Sequence, residues 1–339
     1  WTGVDLFFVI SGFVFAPLLL FPGSSSTDTA PARLDSRAFF IRRIFRIYPL
    51  YLLAVLAYFF TQPAAVGKIE ILIRHLLFLH TTRSYEEAYY FNPAFWSLPV
   101  EIEFYLLVPL LALFGSKAAS GGKNGDTGFA YNNRVLIFFF AATLLLGLSA
   151  KMLRGPGVDA WRLLSVHLPT ILPEFLVGTL LYHCVGSAHQ SGRRWNSTPA
   201  LLTALAGSLL LGFGYLVMFG NVGLETNVVL EAPFNFLCAC GYALLMYPLL
   251  LIKNSDYGVL AAKVARTAGA SSYGVYLFHN FSPRLLQMGG LEPRGMAFLA
   301  LASLTTVLLA LFLYYCYENP LRRWGRRLGG KTVMKGLPA

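Results

Sequence analysis

The run FWSLPVEIEFYLLVPLL, from Phe95 to Leu111, carries two carboxylates, Glu101 and Glu103, inside otherwise apolar sequence. An ionisable side chain at the centre of a membrane-spanning helix costs about 2.5–3.5 kcal/mol on insertion scales, so such residues turn toward a protein interior or a wet cavity. Asp5, Glu101, Glu103, Glu174, His183 and His279 all meet that description. Glu101 and Glu103 are two positions apart, about 200° around a helix. They do not share a face, so a paired acid/base device within this helix is not expected. Glu101 and Tyr105 stand at i,i+4 and do share one. Glu103 is expected at the interface, pointing at headgroups or water.

FFIRRIFRIYPLYLL (39–53) sets Arg42, Arg43 and Arg46 just ahead of an apolar run. Arg43 and Arg46 are i,i+3, and two guanidinium forks within reach of each other suit phosphate oxygens. The same pattern is that of an ordinary positive-inside anchor, and spacing alone favours the anchor. SSYGVYLFHN (271–280) puts Tyr276 three residues before His279. A single intramembrane His serves as readily as a hydrogen-bonded packing residue as in a site. His75 and His80, at i,i+5, read as poorly placed together, and with His183 they form no metal-ligand pattern. A G-x-S-x-G elbow, a P-loop and H-E-x-x-H are all absent from the sequence, so a soluble-type hydrolase or ATP-driven machine is unsupported. Cys184, Cys238, Cys240 and Cys316 lie in apolar segments without zinc-site or C-x-x-C spacing, and read as small packers. No metal is expected.

These residues need elements to hold them. Of 339 residues, 56% are hydrophobic and only 13% charged, against about 25% charged in a soluble domain. Such a chain cannot cover a globular surface and reads as a polytopic membrane protein. A span needs roughly 20 apolar residues. Nine stretches are candidates: 4–22, 47–62, 97–114, 135–150, 166–186, 199–219, 231–252, 270–288 and 296–317, the second and fourth short and the eighth interrupted by polar residues. Residues 69–81, with Arg74 and His75 in a brief apolar run, read as an interfacial or re-entrant helix.

With the Trp1 end outside, 19 of the 27 Lys and Arg residues fall in the inside loops. That is the positive-inside bias, with a cytoplasmic C-terminus. It accounts for the net charge of +11 without nucleic acid. Residues 115–128 read as a flexible Gly/Ser/Lys-rich linker. The basic tail 324–339 is expected on the anionic inner leaflet, Trp324 at the interface. The chain starts at Trp1 and enters apolar sequence at once, which reads as a fragment lacking its true N-terminus.

Six segments, in order, carry a resemblance: GVDLFFVISGFV (3–14), RRIFRIYPLYLL (42–53), FWSLPVEIEFYLLVPLL (95–111), LPEFLVGTLLY (172–182), SSYGVYLFHN (271–280) and YENPLRR (317–323). Together they resemble the membrane acyltransferase family 3, over nearly the whole chain. The resemblance implies an all-α bundle of about ten spans, of which about nine are present, with residues 1–323 as the transmembrane acyltransferase domain. It implies transfer of an acyl group, often acetyl, from acyl-CoA (acetyl-CoA) to a hydroxyl of a glycan or other acceptor, in the plasma (inner) membrane.

Matched residue by residue, the family's Arg-x-x-Arg falls on Arg43 and Arg46, implied to bind CoA phosphates. Its W-S-L-x-V-E falls on Trp96, Ser97, Leu98, Val100 and Glu101, its Y-L-x-H on Tyr276, Leu277 and His279, and its Glu-x-Pro on Glu318 and Pro320. Where many members have Glu-Glu-Gln, this chain has Glu101-Ile102-Glu103, so only Glu101 carries over. The family's catalytic His is expected upstream of Trp1, so the fragment alone is expected to be inactive. Asp5 and Glu101 are expected to orient that His or neutralise a neighbouring Arg, and His279 to help position donor or acceptor. A transporter or flippase, or an inactive scaffold member, are the alternatives. Internal repeats would favour transport, and none is evident.

Overall fold

The structure, a computed structural model, describes residues 2–20, 35–120, 126–153, 163–219, 233–252 and 258–330. Every regular element among them is helical, as the all-α reading requires. In chain order the helices are α1 (Gly3–Leu20), α2 (Ser36–Thr61), α3 (Lys68–Leu76), α4 (Tyr85–Ala88), α5 (Ser97–Ser120), α6 (Asp126–Met152) and α7 (Leu168–Gln190). They continue with α8 (Thr198–Phe219), α9 (Phe234–Leu250), α10 (Val259–Phe278), α11 (Phe281–Met288), α12 (Gly295–Leu313) and α13 (Asn319–Leu328).

Each of the nine apolar stretches falls on one of the longer helices, and the 69–81 stretch begins with the short α3. The eighth differs in extent. Its helix α10 starts at Val259, and the chain breaks at His279 and Asn280 before the separate α11. Of the linker at 115–128, residues 121–125 lie outside the described residues, as do residues 331–339 of the basic tail.

Two compact units divide the chain, Trp1–Arg33 with Ser97–Asp256, and Leu34–Trp96 with Tyr257–Ala339. In the first, α1 crosses α7 at backbone contact. A Cβ on Gly12 would land on the carbonyl of Phe175, and one on Gly178 on that of Val9. Small residues at such a crossing let two helices approach where lipid supplies no hydrophobic drive. Thr179 Oγ1 donates to Gly12 O at 3.3 Å across the same crossing. Val9, Val177, Leu181, Ala239, Ala243 and Tyr247 fill the core that α1, α7 and α9 share. Outside it, Leu201, Leu205, Leu209 and Leu216 leave an apolar stripe open along α8.

In the second unit α2 begins at Asp35, whose carboxylate accepts from Ala38 N at 3.0 Å and so satisfies one of the helix's first free N–H groups. Tyr51 and Tyr58 on α2 are buried against Phe95, with ring centroids at 5.3 and 5.5 Å. The last long helix passes from α12 through a π-helical turn, Tyr314–Glu318, into α13. The wider turn rotates α13 relative to α12, and π-turns often mark functional positions. Here it directs Glu318 inward, where it is buried, and lays α13 along the start of α2, with Trp324 edge-on to Phe45 at 5.2 Å.

Among the described residues, four helices are long and apolar enough to cross a membrane: Ser36–Thr61, Leu168–Gln190, Thr198–Leu216 and the continuous Gly295–Leu328. Shorter apolar helices at Gly3–Pro17, Phe140–Ala150 and Phe234–Leu250 accompany them. With Leu-lined faces open on the outside of the helices, the bundle is that of an integral membrane protein.

Candidate active site

The first unit holds the carboxylates. Asp5 is buried in the first turn of α1, where the positive end of the helix favours an anion. Its Oδ1 accepts from Asn235 Nδ2 on α9 at 3.1 Å. Beside it Thr2 Oγ1 and Tyr242 OH are 2.8 Å apart. Glu101 is buried on α5 and accepts the Tyr105 hydroxyl, one turn on, as the shared face requires. An aromatic wedge lies along the same helices: Phe104 stacks on Phe175 at 4.0 Å, and Phe175 meets Phe8 at 4.8 Å. Charge placed among such rings depends strongly on its polar partners.

Glu103 does turn the other way, but not simply to solvent. Its Oε1 accepts from His167 Nδ1 at 2.6 Å and its Oε2 from the backbone N–H of Leu168 at 2.7 Å. His167 has no side-chain cap of its own for α7, so a carboxylate from another helix caps α7 instead. Sequence reasoning missed His167. Its partner is 64 residues away, so no local spacing signals it.

The second unit holds the arginines and His279. Arg43 lies 5.8 Å from the Phe39 ring centre, Arg46 is exposed, and Arg42 Nη2 donates to Gly330 O at 2.5 Å. Packing of α13 on α2 adds Arg322, Arg323, Arg326 and Arg327 to the same end. Arg322 Nη1 donates to Glu318 Oε1 at 3.2 Å, and the charge of Arg46 reaches both Glu318 and Arg322. Glu318 is thus one buried carboxylate serving a crowd of cations, and its Oε2 has no hydrogen-bond partner among the described residues. The result is a concentrated positive end.

At the far end of the unit the Tyr276 hydroxyl donates to Ala94 O, fixing the end of α10. His279 is exposed just past that helix, its Nδ1 donating to Tyr276 O at 2.8 Å. It is no packed core residue. A carboxamide relay supports the break: Asn280 Nδ2 donates to Asn92 Oδ1 at 2.8 Å, and Asn92 Nδ2 donates to Leu277 O at 3.1 Å.

His75 and His80 also depart from expectation. Phe78, with φ of 57°, reverses the chain after α3, and the two imidazoles stack at 4.0 Å with only 8° between planes. A carbonyl can only accept, so His75 Nδ1–H donates to Ile71 O at 2.8 Å and His80 Nε2–H to Phe95 O at 3.1 Å. Burial pulls His75 down to about 2 and His80 down to about 4, so both are neutral at physiological pH.

Apolar helices, buried carboxylates and a basic end on the same chain define a membrane-embedded protein. The model of the family described as "Acyltransferase domain", acyltransferase family 3, matches residues 2–315, and the chain belongs to that family. It is an acyltransferase. It is 27% identical to the exopolysaccharide production protein ExoZ of Rhizobium meliloti, over 99% of this chain and 93% of that one. It is 25% identical to YrhL of Bacillus subtilis, provisionally named as a peptidoglycan O-acetyltransferase, over 98% of this chain but only 52% of that protein. An uncharacterised Haemophilus influenzae protein is 27% identical over 69% of this chain and 94% of its own length. No solved structure matches the chain significantly.

Proposed function

We propose that this chain is an O-acyltransferase taking an acyl group, acetyl in the first instance, from acyl-CoA at the cytoplasmic face of the plasma membrane and placing it on a hydroxyl of a glycan or similar acceptor. The observation that carries the donor is the arginine end of α2, where α13 brings further guanidinium groups beside Arg43 and Arg46. Arg43 and Arg46 hold the CoA phosphates there by paired, charge-assisted hydrogen bonds. The names of the relatives from Rhizobium meliloti and Bacillus subtilis support a polysaccharide or peptidoglycan acceptor.

Transfer requires that a base take the acceptor's hydroxyl proton, that the oxygen attack the thioester carbonyl, and that the C–S bond break with CoA leaving as the thiol. Asp5 and Glu101 hold the charge balance around the base in the apolar interior, and His279 positions donor or acceptor. The concentration of Lys and Arg in alternate loops supports a cytoplasmic C-terminus.

The test is acyl-CoA binding by the full-length protein in detergent. Arg43→Ala is expected to weaken binding about tenfold or more while the protein still inserts and melts normally. Unchanged binding overturns the phosphate role.

A further inference from the structure

Within the second unit, at the end of α2 remote from the arginines, lies a cavity of about 580 Å³ that opens widely to the surface. That volume falls within the roughly 300–1,000 Å³ of small-molecule sites. Its polar wall is Thr61, Asn280, Arg284 and Gln287. Pro63, Pro283 and Met288 make the apolar remainder. Asn280, Arg284 and Gln287 stand at i, i+4 and i+7, one face along the length of α11.

Each polar group has a defined hydrogen-bonding sense. Arg284 Nη2 donates to Thr61 O at 2.6 Å, which fixes the guanidinium against the end of α2. Among the described residues the rest of that guanidinium has no hydrogen-bond partner, so a half-buried cation is left to face a ligand. The Asn280 Nδ2 is committed to Asn92, which leaves Asn280 Oδ1 as an acceptor. Thr61 Oγ1 donates to Ala57 O at 2.8 Å and so offers its lone pairs. Gln287 is exposed and supplies both senses. The wall therefore presents one fixed cation beside two acceptors for hydroxyl protons. Hydroxyls alone would not need the cation, and a simple anion would not need the acceptors.

We propose that this cavity is the acceptor subsite and that it takes a sugar bearing a carboxylate, the acid on Arg284 and the sugar hydroxyls on Asn280 and Thr61. The proposal rests on the reading of the chain as a transferase with a hydroxyl acceptor. It is tested by isothermal titration of the full-length protein in detergent, without any acyl donor. The probes are a glucuronate-containing disaccharide and its neutral glucose counterpart. The wild type is expected to bind the acidic probe at least tenfold more tightly, and Arg284→Gln to remove that preference by weakening the acidic probe alone. Gln287→Glu, an exposed change that leaves the melting temperature in place, is expected to weaken the acidic probe at least fivefold and separates ligand repulsion from misfolding.

Equal affinity of the wild type for both probes overturns the proposal. So does an unaltered preference in either variant. Thiol release from acetyl-CoA is followed separately. Turnover without sugar discrimination would sink the subsite alone, and discrimination without turnover would sink the transferase reading while leaving an acidic-sugar site.

Discussion

Glu103 and His167, 64 residues apart in sequence, meet at 2.6 Å, and the same carboxylate takes the backbone N–H of Leu168 at 2.7 Å. One side chain therefore ties α5 to the start of α7 and satisfies a helix terminus that has no cap of its own. Loss of an N-cap acceptor costs about 0.5–2 kcal/mol. Glu103→Ala is expected to lower the thermal midpoint in detergent by several degrees, whereas Glu103→Gln, which keeps an acceptor oxygen, lowers it less. Equal midpoints for wild type and alanine variant would assign the cap to another group.

The stacked His75 and His80 make the second unit sensitive to acid. In the unfolded chain each imidazole titrates near about 6.5. In the fold His80 stays neutral to about 4 and His75 to about 2, because burial disfavours the charged ring. Below 6.5 the unfolded state binds more protons, so stability is complete above that pH and declines as pH falls toward 4. The slope approaches about 1.4 kcal/mol per pH unit for each imidazole. Thermal melts from pH 7.5 to 5 are expected to show a falling midpoint, and His80→Gln to make the fall shallower. A flat profile in the wild type would mean that both imidazoles titrate in the fold as they do in the unfolded chain.

Among the described residues a long helix lies at each of the nine apolar stretches, because membrane thickness imposes a length that shows in composition. The i,i+4 contact of Glu101 with Tyr105 was equally legible, since it follows from helix pitch. What escaped were contacts set by tertiary folding. Glu103 looked interfacial because its partner is distant in sequence. The spacing i,i+5 reads as a poor placement of His75 and His80 on a helix, and their stack forms because the helix ends and Phe78 turns the chain back. The break at His279 and Asn280 was visible only as polar interruption, not as the wall of a cavity.

Glu318 and Arg322 form a pair, 3.2 Å apart, of unequal exposure: the carboxylate is 3% accessible and the guanidinium 23%. Removing one partner of a buried pair is far costlier than removing both. Glu318→Ala leaves Arg322 and Arg46 facing one another and is expected to destabilise the protein by about 2–4 kcal/mol. The double variant Glu318→Gln/Arg322→Gln is expected to recover at least half of that. Denaturant or thermal unfolding of the three proteins checks it. A double variant no better than the single one would show that Glu318 acts through packing of the π-helical turn rather than through charge.

Glu101 is the carboxylate on which the proposed chemistry leans. It is buried on α5 and receives the Tyr105 hydroxyl. Glu101→Gln keeps its shape and removes only the charge, so insertion and melting are expected to remain near wild type. Acyl transfer is expected to drop about 100-fold, the scale on which misplacing or mis-charging the partner of a catalytic group acts. Tyr105→Phe keeps the carboxylate and removes one donor, so a smaller loss is expected, with the pH–rate profile displaced from that of the wild type. A packing role would leave the pH profile of both variants in place and tie any loss of rate to loss of folded protein. Rates per folded molecule, measured across pH with the full-length enzyme, therefore separate a charge that serves the reaction from one that serves only the helix bundle. A fully active Glu101→Gln assigns this carboxylate to the bundle.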